Sequence, residues 1–122
     1  MEVITLIHRY LGETLVALVL IGLLLALGAK DPAGGLRRGA LGVGRILVML
    51  LSLQWLLGII NFFSLPAEVR PGWGHPVIMT LVVALGHMAM GRARKDPKAS
   101  HWRLALIFAV LAVLMIYAWR LA

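Results

Sequence analysis

The chain has 122 residues, of which 61% are hydrophobic, and it carries a net charge of +7 and no cysteine. A typical soluble domain is about 45–50% apolar. The surplus here lies in long uninterrupted runs, which indicates membrane-spanning helices. A chain without cysteine excludes disulfides, iron–sulfur clusters, thiolate zinc sites and covalent haem attachment through a Cys-x-x-Cys-His motif.

Four apolar runs are predicted to span the membrane, at residues 3–28, 41–63, 75–91 and 101–120. Each run is long enough to cross a hydrocarbon core of about 30 Å. The glycine-rich stretch 34–44 is predicted to be a flexible basic turn, and Ser100 is predicted to be the N-cap of the fourth helix. The predicted fold class is therefore all-α: a four-transmembrane-helix bundle in which residues 1–122 form a single domain.

Basic residues are concentrated in the first and third loops and their flanking turns, which share one side of the membrane. They are Lys30, Arg37, Arg38, Arg45, Arg92, Arg94, Lys95, Lys98 and Arg103. The positive-inside rule puts this side in the cytoplasm, with both termini and the 64–74 loop outside. Membrane topology thus explains the positive charge, and no nucleic-acid partner is expected. We expect an integral protein of a bacterial inner membrane.

The four histidines lie near span ends and sort two by two. His8 and His75 are predicted on the outer side, and His87 and His101 on the cytoplasmic side. Imidazole nitrogen binds iron well, and four-helix bundles build haem sites from facing helices. Each side of the membrane therefore has a candidate pair of haem ligands. One objection is that twelve residues separate His75 from His87, which turns them about 120° apart around the helix.

Arginines accompany both histidine pairs: Arg9 on the outer side, and Arg45 and Arg103 on the inner side. Arginine binds carboxylates in a bidentate fork, so these residues are candidate partners of haem propionates. Membrane topology explains the same residues without a ligand, because bases at span ends set orientation.

Two short motifs carry a family resemblance. His8-Arg9-Tyr10-Leu11-Gly12 resembles the His-Arg-x-x-Gly openings of membrane cytochromes such as succinate dehydrogenase anchor subunits and ferric-reductase-like proteins. His75-Pro76-Val77-Ile78-Met79 resembles the His-Pro-x-x-Met helix start of the cytochrome b561 group. The resemblance implies that His8, His75, His87 and His101 ligate one or two haems b. It also implies electron transfer across or along the membrane, often with a quinone.

Two polar residues within the spans are candidates for proton or quinone chemistry. Glu13 is a carboxylate inside the first span, where ionisable groups are costly and usually functional. Asn61 could contact a quinone headgroup, although hydrogen bonding between helices is the commoner role of such a residue, as it is for Gln54.

The preferred hypothesis is a b-type cytochrome that carries electrons between a quinone pool and a partner, as a subunit of a larger membrane complex. It would be an electron-transfer protein rather than an enzyme with its own substrate pocket. Two alternatives stay open: a cofactor-free accessory subunit of a respiratory or photosynthetic complex, and a small proton-coupled transporter that uses Glu13. A chlorophyll ligand role for His87 is also compatible with the sequence.

Overall fold

The computed structural model describes residues 2–31, 33–96 and 100–121. Its four long helices are α1 (Glu2–Gly28), α2 (Gly35–Ser64), α3 (Gly74–Lys95) and α4 (His101–Arg120), and a short 3₁₀ helix covers Ala67–Val69. All four long helices are long and apolar enough to cross a membrane. The predicted class, an all-α transmembrane four-helix bundle, is confirmed. Lys98, counted above among the cytoplasmic bases, lies outside the described residues.

Two helices extend beyond the apolar runs that predict them. α2 already begins at Gly35, so the prediction of a turn over residues 34–44 is wrong, and α3 continues to Lys95. Hydropathy marks only the lipid-buried part of a helix, whereas backbone hydrogen bonding continues past it. A glycine costs a helix roughly 1 kcal/mol relative to alanine. Close packing offsets this cost at Gly44, where an added Cβ would lie only 2.6 Å from the Met90 sulfur.

Side chains fasten the ends of the helices near the two basic loops. The predicted N-cap of α4 is confirmed, because the Ser100 hydroxyl accepts the Arg103 backbone N–H at 3.2 Å. Arg37 is buried at the start of α2 and donates from Nη2 to the Asp96 carbonyl oxygen at 2.9 Å. A hydrogen bond from a charged group typically stabilises by about 1.5–3 kcal/mol. This bond therefore ties the start of α2 to the end of α3.

The helices form a ring in which α1 and α3 each pack against α2 and α4. α1 and α3 are therefore diagonal partners across the bundle. Each helix contributes fully buried side chains to the core, for example Leu15, Leu47, Val82 and Phe108. Gly22 of α1 lies so close to Phe108 of α4 that an added Cβ would overlap the ring. Small residues of this kind allow membrane helices to approach closely.

The two ends of the bundle differ in character. One end, called the basic end below, is where α1 and α3 end and where α2 and α4 begin. The other end carries the 65–73 segment and is called the cavity end, because a cavity opens among the four helices there.

Candidate functional site

His8 and His75 face each other at the cavity end. His8 belongs to α1 and His75 to the first turn of α3, so the pair crosses the diagonal of the bundle. Their ring centroids are 6.3 Å apart, and the ring planes are nearly perpendicular, at 86°. Both residues are partly buried. The structure therefore brings together the two histidines that the sequence assigns to the outer side.

A backbone carbonyl holds the His75 ring in place. Nδ1 of His75 lies 2.6 Å from the carbonyl oxygen of Ala118, in the last turn of α4. The last carbonyls of a helix lack some of their helical partners and remain open to side chains. Because a carbonyl only accepts hydrogen bonds, Nδ1 must carry the proton. The lone pair of the neutral imidazole then resides on Nε2, the nitrogen through which a histidine could bind a metal.

His8 sits in a recess that a glycine of α2 provides. A Cβ added at Gly58 would lie 2.8 Å from Cε1 of the His8 ring, closer than real Cβ atoms approach. The ring can occupy this position only because Gly58 has no side chain. The Gln54 amide, one turn earlier on α2, donates to the His8 carbonyl oxygen at 2.7 Å. Nδ1 of His8 is buried and has no hydrogen-bond partner among the described residues.

The cavity beside the pair has a volume of about 280 Å³ and is lined by residues of all four helices. Much of its wall is apolar, including Pro76, Met79 and Met115. Polar groups are contributed chiefly by α1 and α2: Thr5, His8, Glu13, Gln54 and Asn61. An apolar pocket with a few convergent polar groups is the usual form of a ligand site.

Glu13, Arg9 and Asn61 all line this cavity. Glu13 pairs with Arg9 one turn away, with 3.6 Å between Nε and Oε1. The Arg9 side chain is 73% exposed and that of Glu13 is 41% exposed, so the pair lies at the rim. Asn61 is buried, and its Oδ1 accepts the Thr5 hydroxyl proton at 2.7 Å. This bond joins α1 to α2. It uses the oxygen of the Asn61 amide, so the amide N–H₂ can still donate a hydrogen bond.

His87 and His101 occupy separate surroundings. His87 is exposed, and its Nε2 lies 2.7 Å from the Ser52 hydroxyl of α2. His101 lies beside Trp102 of its own helix, with ring centroids 5.1 Å apart. No ring contact joins His87 to His101 in the described part of the chain. The structure thus brings His8 and His75 together and leaves His87 and His101 apart.

Arg45 and Arg103, the arginines that the sequence places near His87 and His101, are both exposed. Arg103 pairs with Asp96, with 3.7 Å between Nη1 and Oδ2. An exposed pair of this kind contributes about 0–1 kcal/mol. Arg45 lies on the exposed surface of α2.

One group of this site, the Ala118 carbonyl, is not predicted from the sequence. Gln54 was predicted to bond between helices, and it does so directly beside His8. Gln54 and Gly58 are four residues apart and so share one face of α2. That spacing could have identified a face shaped for a ring. A backbone carbonyl leaves no signal in the sequence.

No protein-family model, curated protein or solved structure matches the chain. The fold and the site by themselves define a class of protein: an integral-membrane four-helix bundle with a histidine-flanked cavity at one end.

Proposed function

We propose that this chain is a b-type membrane cytochrome in which His8 and His75 ligate one haem at the cavity end. The observation that carries the proposal is the 6.3 Å separation of the two ring centroids across the bundle. Imidazole nitrogen bonds metals at about 2 Å, so two imidazoles on opposite sides of one metal have centroids roughly 6 Å apart. Two protein ligands are too few for most bare metal ions, whereas haem supplies the remaining nitrogens itself.

Two further features of the site fit a haem, whereas the size of the cavity requires its wall to adapt. Nε2 of His75 is free to bind a metal because Nδ1 is engaged by Ala118. His8 occupies a recess made by Gly58, and its Nδ1 has no partner within the described residues. The cavity, at about 280 Å³, is smaller than a tetrapyrrole. Binding therefore requires wall side chains to move, and Met79 and Met115 are the flexible type that adapts to irregular shapes.

Bound haem would supply a reversible one-electron centre. The chain's own residues would set its ligands, its burial and the access of its redox partner. We propose that this partner is a quinol from the membrane pool. Oxidation of a quinol to a quinone releases two electrons, which would leave one at a time by way of the haem to an electron-accepting protein of the membrane complex, and two protons, which would leave to the water outside the bundle. Glu13 at the cavity rim would accept one proton on its carboxylate, and the Asn61 amide would donate a hydrogen bond to a quinone oxygen.

The haem content of the purified protein tests this proposal. We expect about one haem b per polypeptide by the pyridine haemochrome assay, with a sharp reduced-minus-oxidised absorbance band. One haem is expected, rather than two, because His87 and His101 have separate partners. A colourless protein that stays colourless after haem is added would overturn the proposal. It would favour a cofactor-free accessory subunit of a membrane complex.

The proposed location is a bacterial inner membrane, with the basic end in the cytoplasm and the cavity end outside. Since the chain has no cysteine, thiol labelling of a single introduced cysteine reports which side of the membrane that residue faces. Ala67→Cys in the 3₁₀ helix and Ala33→Cys at the basic end both replace exposed residues.

We expect a membrane-impermeant maleimide to label Ala67→Cys in cells whose outer membrane has been made permeable, and to label Ala33→Cys only after lysis. The reverse pattern would contradict the proposed orientation.

A further inference from the structure

We infer that Gln54 is a positioning residue that selects the iron-binding tautomer of His8 by accepting a hydrogen bond from its Nδ1–H. Part of this inference, the role in iron ligation, rests on the proposed function. The hydrogen bond itself can be tested without haem.

The orientation of the Gln54 amide follows from its first partner. The His8 carbonyl oxygen, 2.7 Å away, only accepts, so the amide presents its N–H₂ group there. The oxygen Oε1 must then be on the other side of the amide. Gly12 makes this approach possible, because a Cβ added there would lie 3.1 Å from Nε2 of Gln54. The amide is thus held against the backbone of α1 beside His8.

Two buried polar atoms of these two contacting residues have no partner among the described residues, and they are complementary. Oε1 of Gln54 is one, and Nδ1 of His8 is the other. Buried polar atoms are almost always hydrogen-bonded, so such cases require an explanation. An amide oxygen only accepts, and an imidazole Nδ1 donates when it carries the proton. The bond from the Gln54 amide to the His8 carbonyl already joins the two residues, so the inferred hydrogen bond would form if the amide oxygen and the ring turned toward each other.

The resulting arrangement would match that of His75. There the Ala118 carbonyl of α4 fixes the proton on Nδ1. Gln54 of α2 would do the same for His8. Both imidazoles would then present the lone pair of Nε2. The other ring nitrogen of a metal-bound histidine is usually held in this way, and removing the partner typically weakens metal binding by roughly 10- to 100-fold.

Two substitutions separate this role from ordinary packing. Gln54→Met removes both the acceptor and the donor at similar side-chain length. Gln54→Glu keeps an oxygen acceptor but, when ionised, cannot donate to the His8 carbonyl. Ser52→Ala is a matched control, because it removes a polar side chain of α2 that bonds His87 instead.

The first measurement is the ¹⁵N spectrum of histidine-labelled, haem-free full-length protein in micelles. The signals of His8 are identified by their loss in His8→Phe. We expect a protonated Nδ1 in the unsubstituted protein and in Ser52→Ala, and a mixture of tautomers in Gln54→Met. An unprotonated Nδ1 in the unsubstituted protein, or identical His8 signals in Gln54→Met, would overturn the inference.

The second measurement is the midpoint potential of the haem-loaded protein. When the ring nitrogen that does not bind iron donates a hydrogen bond, the other nitrogen becomes more basic. A more basic imidazole ligand favours ferric iron over ferrous iron. We expect a more positive potential in Gln54→Met and a more negative one in Gln54→Glu. Equal potentials in all three proteins would also overturn the inference. If no haem binds at all, the proposed function fails while the ¹⁵N spectrum still decides whether the hydrogen bond exists.

Discussion

Protein carrying His8→Ala or His75→Ala is expected to lose the proposed haem, from about one per polypeptide to nearly none. The two imidazoles come from helices that are diagonal across the bundle, and no other histidine shares their cavity. Removing one leaves the iron with a single protein ligand beside a newly emptied space. The measurement is the pyridine haemochrome content of each purified variant, with the helix content checked by circular dichroism.

His87→Ala and His101→Ala are the matched controls. His87 contacts Ser52 on the exposed side of the bundle, and His101 lies beside Trp102 at the basic end. Both variants should retain full haem content and an unchanged absorbance band. Loss of haem in His87→Ala, with retention in His8→Ala, would contradict the assigned ligands. It would place the iron elsewhere in the chain.

Gly58→Ala is expected to weaken haem binding by roughly tenfold, because a binding site tolerates displacements of only about 0.5 Å in its ligands. The added methyl carbon would lie 2.8 Å from Cε1 of His8, so the imidazole has to move. The helix itself should not suffer, since alanine favours helices more than glycine does, by about 1 kcal/mol. Titration of the haem-free protein with haem measures the change in affinity.

Gly42→Ala is the control on the same helix, because a Cβ at Gly42 meets no atom within 4 Å. It should bind haem as the unsubstituted protein does, with equal or greater thermal stability. Equal haem affinity in Gly58→Ala and Gly42→Ala would show that the recess beside His8 does not matter. Reduced affinity in both would show that the effect comes from the helix and not from the ring.

The number of helices could be predicted from the sequence because apolar runs and helix-breaking residues are local signals. The cap at Ser100 is likewise a local signal, and the structure agrees. The predicted start of α2 is too late, because the low helix propensity of glycine disfavours a helix over the glycine-rich residues 34–44. Gly44 packs against Met90 of another helix, and contact between helices overrides propensity.

The candidate site could be predicted only in part, because it depends on how each helix is rotated about its axis. The sequence placed His8 and His75 near one end of the bundle. It also indicated that His75 and His87 point in different directions, and the structure bonds one to α4 and the other to α2. His87 and His101 are predicted on one side of the membrane, but a shared side does not determine whether their rings face each other. The contacts of the Gln54 amide depend on α1, which no local pattern of α2 encodes.

The diagonal placement of His8 and His75 has a consequence for biogenesis. Neither the N-terminal hairpin (α1 and α2) nor the C-terminal hairpin (α3 and α4) contains both proposed ligands, and each ring is supported by the second helix of its own hairpin. Cofactor uptake during synthesis would therefore have to wait until the fourth helix has inserted. The absorbance of bound haem would then indicate that all four helices are assembled. Because haem would bind only the folded state, it would also stabilise that state by mass action.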